Sequence, residues 1–159
     1  MTPPSPPSSL IIGGSGLLGR ALQKIIPTAY APTRKDFALQ ERTEFHGIDL
    51  AFLCAGTKGF AECEGNRAAF RSDVDGNIRL ARHLLKQGTF VVFVSTDAVE
   101  WALHTAYARN RHMVELAIGG APGVAIFRPA KFDVSTVASV AQLCASIGLN
   151  RIEGLTRWP

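Results

Sequence analysis

Residues 11–20 read IIGGSGLLGR, with glycines at 13, 14, 16 and 19 between an apolar run and an apolar-periodic stretch. This spacing predicts a strand, a tight turn and a helix in direct succession. Gly13 or Gly14 permits the turn, Gly16 lets backbone approach a bound group with no Cβ in the way, and Gly19 lets the helix pack close to the strand. The helix start then offers free N–H groups and a positive dipole end, which together suit a phosphate. The same glycines also serve ordinary tight turns. What favours the phosphate reading is the loop's place at the first strand–helix junction of an alternating chain.

The alternation runs the length of the sequence. The run SLII (9–12) predicts the first strand. Leu17, Leu18, Ala21, Leu22, Ile25 and Ile26 then recur at helical spacing, and Pro27 closes that helix. Further strands are predicted at 28–32 (TAYAP), weakly around 37–39, at 49–56, 89–96 and 123–129, and as a short last element over 151–155. The segment 49–56, DLAFLCAG, is apolar almost throughout, as a parallel strand covered on both faces must be. Helices are predicted over 64–87 with Gly88 as its cap, over 101–118 ended by Gly119-Gly120, and over 135–147. This pattern predicts an α/β fold, a three-layer Rossmann-type doubly wound parallel sheet forming a single domain over 9–159. Residues 1–8, rich in proline and serine, are expected to be a disordered leader.

With 47% hydrophobic residues in 159, the chain can bury one real core and not two. It lacks the basic start and apolar centre of a secretory signal, and no apolar stretch approaches a membrane span. Cys54, Cys63 and Cys144 are odd in number and widely spaced, which argues against a disulfide framework or zinc knuckle. A reducing, cytoplasmic compartment is the expectation. The net charge of +4 comes from scattered arginines and lysines. A dense basic block or interleaved aromatics, which nucleic-acid binding favours, are absent; the charge suits an anionic small molecule equally well, and a solvated surface accounts for most of these residues. His46, His83, His104 and His112 show no metal-ligand spacing, so no metal is expected. Ser95-Thr96-Asp97 with His104 lacks the nucleophile elbow a hydrolase triad needs.

The loop has a more specific form than the general dinucleotide fingerprint. Gly13-x-x-Gly16-x-x-Gly19 resembles the G-x-x-G-x-x-G loop of the extended short-chain dehydrogenases/reductases. The resemblance continues in order through Cys54-Ala55-Gly56, NRAAFRSDVDGNIRLARHL (66–84), FVSTDAV (93–99), Tyr107-Ala-Arg-Asn-Arg111 and IFRPAKF (126–132). Within that family the STD wording is most similar to reductases of the dTDP-4-dehydrorhamnose type. The resemblance implies an NAD(P)-dependent oxidoreductase or epimerase acting on a nucleotide-sugar or related carbonyl substrate. Its cofactor site implies Gly13, Ser15, Gly16, Leu17, Leu18 and Gly19 in the loop and Cys54, Ala55 and Gly56 at the next strand end. Arg34 and Lys35, after the 28–32 segment, could receive a 2′-phosphate and favour NADP; Asp36 keeps NAD open.

By the same resemblance Thr96 orients the substrate carbonyl and Tyr107 is the acid/base. Arg111 stands where the family has the lysine that lowers the tyrosine's pKa. Arginine keeps the charge but holds its donors in a different, planar geometry. Asp73 or a neighbour stands where the family has the asparagine of NVxGT, and the covering loop between Thr96 and Tyr107 is nearly absent. Only Asp133 to Pro159 follow the last matching strand, so the chain reads as truncated, without the family's C-terminal substrate domain. A homodimer could supply the missing wall. The alternative reading is a non-catalytic nucleotide-binding or protein-interaction module derived from that family.

Overall fold

The computed structural model describes residues 8–36, 38, 39 and 44–156. Four short strands, β1 (Ser9–Ile12), β2 (Leu50–Leu53), β3 (Phe90–Val94) and β4 (Val124–Phe127), form one parallel sheet in the order β1-β2-β3-β4. Its register runs Ile11↔Phe52, Phe52↔Val92 and Val92↔Ala125. Every residue of β1, β2 and β3 is buried, the consequence of covering both faces.

Strand alternation divides the core in two. Leu10, Ile12, Ala51, Leu53, Val91 and Phe93 face a layer containing Leu80, Leu84, Val114 and Ile118. Those residues lie on α3 (Asn77–Lys86) and α5 (Ala106–Ile118). Ile11, Leu50, Phe52, Phe90, Val92 and Val94 face Leu18 and Leu22 of α1 (Leu17–Ile25), and Val137, Ala141, Cys144 and Ala145 of α6 (Val137–Thr156). Three layers and a parallel sheet are the architecture that the alternating sequence predicts.

After α1 the chain returns along the outer side of β1. Tyr30 N–H donates to the Ser9 carbonyl at 2.8 Å and Ile11 N–H donates to the Tyr30 carbonyl at 2.9 Å. The chain then crosses to form β2 on the other side of β1. The winding therefore reverses between β1 and β2, and in sheets of this kind ligands bind at that crevice, beyond the strands' C-terminal ends.

The expected second strand at 28–32 is reduced to this single parallel bridge at Tyr30. Pro27 on one side and Pro32 on the other limit ladder formation, because proline donates no hydrogen bond. Of the expected strand around 37–39, Phe37 lies outside the described residues, while Ala38 and Leu39 are not in a strand. Ser8, the last residue of the expected leader, is tied to the start of β2: its N–H donates to Asp49 Oδ2 at 2.8 Å, and its carbonyl accepts from Asp49 N–H at 2.8 Å. Residues 1–7 lie outside the described residues.

The helix predicted over 64–87 starts later, at α2 (Arg67–Phe70), where the Asn66 side chain accepts from Ala69 N–H at 3.0 Å. It widens into a π-helical turn over Arg71–Gly76 before continuing as α3. The helix predicted over 101–118 begins later, as α5, and its predicted first residue, Trp101, instead ends a separate short helix, α4 (Ala98–Trp101). Thr105 separates them because its hydroxyl caps α5, accepting from Ala108 N–H at 3.3 Å.

The last element is a correction. Residues 151–155 belong to α6, not to a strand. Gly148 reads as a stop in the sequence, yet it sits buried inside the helix; a Cβ there would approach Leu50 Cδ1 to 2.8 Å and Phe52 Cζ to 3.0 Å. Glycine here lets the helix lie close to the sheet. No described helix is long and apolar enough to cross a membrane.

Candidate functional site

The glycine loop bridges the end of β1 and the start of α1. Gly13 has φ +87°, the left-handed region that favours glycine, and a Cβ there would sit 2.7 Å from Ala55 N. Gly16 is the N-cap of α1, with extended backbone, and donates its N–H to the Gly13 carbonyl at 3.0 Å. A Cβ on Gly19 would collide with the Gly13 carbonyl oxygen and stand 2.7 Å from Gly14 Cα. At Gly13 and Gly19 the neighbouring backbone leaves no room for a Cβ. A Cβ on Gly16 would have only the Gly13 oxygen, at 3.3 Å, as a neighbour, which leaves its other side open. The first turn of α1 carries no acidic residue to compete with an anion.

In front of this loop lies a cleft of about 430 Å³. Gly13, Ser15, Gly16, Cys54, Ala55, Gly56 and Arg34 line it, so most of the predicted cofactor residues are brought together. Leu18 and Gly19 are instead buried under the loop, Leu17 packs against the same core, and Lys35 is exposed beside Arg34. The cleft is completed by residues outside the predicted cofactor set, among them Leu39, Thr57, Lys58, Asn66, Ser72 and Asp73, the last noted above only as a departure from the resemblance. Asp73 reaches it through the π-helical turn, a local widening that sequence periodicity does not signal.

The wall beside the loop, over Ala55–Thr57, is held by side chains from three helical segments. Thr57 N–H donates to both oxygens of Asp73 at 3.0 Å. The Ala55 carbonyl accepts from Arg111 Nη1 at 3.3 Å and from Asn77 Nδ2 at 3.5 Å. Gly56, between them, packs directly on the Arg111 guanidinium, where a Cβ has no room. Cys54 lines the cleft, but burial first, and the neighbouring Cys144 second, push its thiol well above the ordinary range, against a smaller opposing pull from Arg111. It stays a protonated wall residue, not a nucleophile.

The expected catalytic residues lie beyond the end of β3. Thr96 is buried; its Oγ1 accepts from Ala98 N–H at 3.2 Å at the start of α4. Tyr107, in the first turn of α5, meets Phe60 edge-to-face at 5.3 Å between ring centroids. The Arg111 guanidinium lies 5.9 Å from the ring centroids of both Tyr107 and Phe93. Tyr107 and Arg111 therefore do share a helix face and meet. Among the described residues no group of His, Cys, Asp and Glu side chains is placed to hold a metal.

No family model and no curated protein sequence matches the chain; its likeness to known proteins is structural. A dTDP-4-dehydrorhamnose reductase from Clostridium acetobutylicum superposes with a TM-score of 0.73 at 16% identity, over 92% of this chain and 71% of that one. The corresponding reductase from Bacillus anthracis, solved in complex with NADP, gives 0.71 at 19% identity over 81% and 55% of the two chains. A short-chain dehydrogenase/reductase superfamily protein from Agrobacterium tumefaciens with bound NAD gives 0.62 at 16% identity over 76% and 48%. This chain thus spans from about half to seven tenths of the length of these neighbours. In fold it is similar to the NAD(P)-binding reductases and epimerases of the short-chain dehydrogenase/reductase type, as its ordered motifs lead one to expect.

Proposed function

We propose that this chain binds NADP(H) or NAD(H) in the cleft before the Gly13–Gly19 loop, as part of a reductase or epimerase acting on a nucleotide-sugar or related carbonyl compound. One observation carries the reading: Gly13 and Gly16 stand at the reversal point of the sheet and line an open cleft, while Gly19 lets α1 pack closely beneath them. A dinucleotide fits such a place chemically, because backbone and a helix start can face its pyrophosphate without side-chain interference. Arg34, exposed on the cleft rim, supports NADP over NAD through its charge.

A nicotinamide supplies hydride transfer when bound. The chain's own residues do the rest in this proposal. Tyr107 passes a proton to or from the substrate oxygen. Thr96 orients that oxygen when its hydroxyl turns from the α4 cap. Arg111 keeps a positive charge against the Tyr107 ring. Binding of NADPH and NADH, followed by nicotinamide fluorescence, tests the first half; no saturable binding of either overturns it. A carbonyl-substrate panel with Tyr107→Phe tests the second: turnover indifferent to that change overturns the chemistry, and binding without turnover supports the non-catalytic nucleotide-binding module.

A further inference from the structure

Among the described residues two buried charged groups, Asp73 lining the cleft and Arg111 behind its Ala55–Gly56 wall, have no ion-pair partner. Asp73 is 2% exposed and Arg111 is 6% exposed. Among the described residues neither makes an ion pair; the ion pairs found lie elsewhere, around Glu115 and at His46. An isolated buried charge is costly, so each must be compensated by what it touches. They touch neighbouring residues of one three-residue stretch. Asp73, from the π-helical turn, accepts the N–H of Thr57; Arg111, from α5, donates to the carbonyl of Ala55 and packs against Gly56.

The anion therefore takes the positive end of one peptide unit, and the cation takes the negative end of the unit before it. Peptide dipoles align with such charges and carry their influence to each other through the loop. Both positions are departures from the resemblance drawn above, Asp73 near an expected asparagine and Arg111 at an expected lysine. A neutral side chain at 73 and a lysine at 111 would leave a different charge distribution at this wall. The two departures, one adding a negative charge and the other keeping a positive charge in a planar guanidinium, converge on Ala55–Thr57. Asn77, fully buried, adds a second donor to the Ala55 carbonyl and ties back to the Asp73 carbonyl at 2.9 Å.

We infer that Asp73 and Arg111 are a charge pair coupled through the Ala55–Thr57 backbone, which presets the cleft wall for the nucleotide. Arg111 is then a positioning residue: its donors serve the wall. The ligand part of this inference rests on the nucleotide-binding reading, whereas the coupling itself does not.

The test combines amide NMR on the nucleotide-free protein with NADPH titration of R111K, R111M, D73N and D73N/R111M. R111M moves the Thr57 amide signal although Asp73 is its acceptor. R111M and D73N each weaken NADPH binding about tenfold, as loss of a hydrogen bond to a charged group implies. The double variant also loses about tenfold, not the product of the two, because the partners compensate one another. R111K, which keeps charge and a donor, stays within about threefold of the parent. An unmoved Thr57 amide in R111M, or losses that multiply, overturns the pair. Should R111M not fold, the isosteric D73N carries the reciprocal test: it moves the Gly56 amide, and an unmoved Gly56 amide overturns the pair. A parent protein that binds no NADPH overturns the nucleotide reading while the amide measurements still decide the coupling.

Discussion

Gln23 holds the glycine loop from the second turn of α1: its side-chain amide donates to the Gly14 carbonyl at 2.7 Å and to the Gly19 carbonyl at 3.2 Å. The loop is thus shaped by its glycines and also fastened to the helix it begins. A Cβ on Gly14 would stand 3.0 Å from that amide and 2.8 Å from Ala31 Cβ. Gln23→Ala should destabilise the protein by about 1 kcal/mol, the usual worth of such a bond. It should also weaken NADPH binding with no change in fold. Urea unfolding with a parallel fluorescence titration measures both; unchanged affinity would remove Gln23 from the loop's function.

Gly19→Ala should be much more severe, since the added methyl meets two backbone groups that cannot move aside. Overpacking of that kind costs about 1–3 kcal/mol, here with loss of nucleotide binding. A variant of native stability that binds NADPH normally would contradict the close helix–loop contact.

Gly148 and Gly120 form a matched comparison. Gly148→Ala inserts a methyl against Leu50 and Phe52 and should lower stability by about 1–3 kcal/mol. Gly120 faces open space at an ordinary φ, so Gly120→Ala should be neutral or stabilising by a few tenths to about 1 kcal/mol. Chemical denaturation curves of equal slope read the difference directly. Equal effects would place α6 farther from the sheet.

Arg34→Ala should reduce NADPH affinity by about tenfold or more while leaving NADH nearly unaffected, because only a 2′-phosphate needs the guanidinium. Paired titrations decide it. A parallel loss for both cofactors would assign Arg34 a general role, and Lys35→Ala would then locate the selective cation.

A pH dependence follows from Glu115 on α5. Burial raises its carboxyl pKa. Hydrogen bonds from Arg128, together with the charges of Arg128 and His112, outweigh that and bring it below its ordinary 4.5. Arg128 grips it with both Nε, at 2.9 Å, and Nη2, at 2.5 Å. A lowered folded pKa means the stabilisation is fully present above about pH 4.5 and is lost as pH falls through the folded value. Glu115→Gln should flatten the stability–pH curve in that acid window while lowering stability at neutral pH. A curve of unchanged slope would show that the pair adds nothing.

How much of this was legible beforehand varies with the kind of residue. SLII, DLAFL and TFVVFV announce buried parallel strands because their interactions are with their neighbours on both faces. GGSGLLG announces its turn because each glycine answers a local backbone demand. The 28–32 segment has strand composition but gains only one bridge, since prolines bracket it. Gly148 reads as a break because sequence shows the helix penalty and not the Leu50 and Phe52 contacts that reward it. Asp73 and Arg111 could be noted as departures from a pattern. That they act on adjacent peptide units of one loop depends on the π-helical turn and on α5, elements far apart in sequence that meet only in the folded chain.

The shared layer of α1 and α6 has a consequence for how the molecule comes into being. Leu18 and Leu22 near the start of the chain rest with Ala141, Cys144 and Ala145 near its end in one core against Ile11, Leu50 and Phe52. During synthesis the glycine loop emerges well before α6 and lacks half its backing until that helix leaves the ribosome. A stalled or clipped product lacking α6 exposes an apolar sheet face to the cell's quality control.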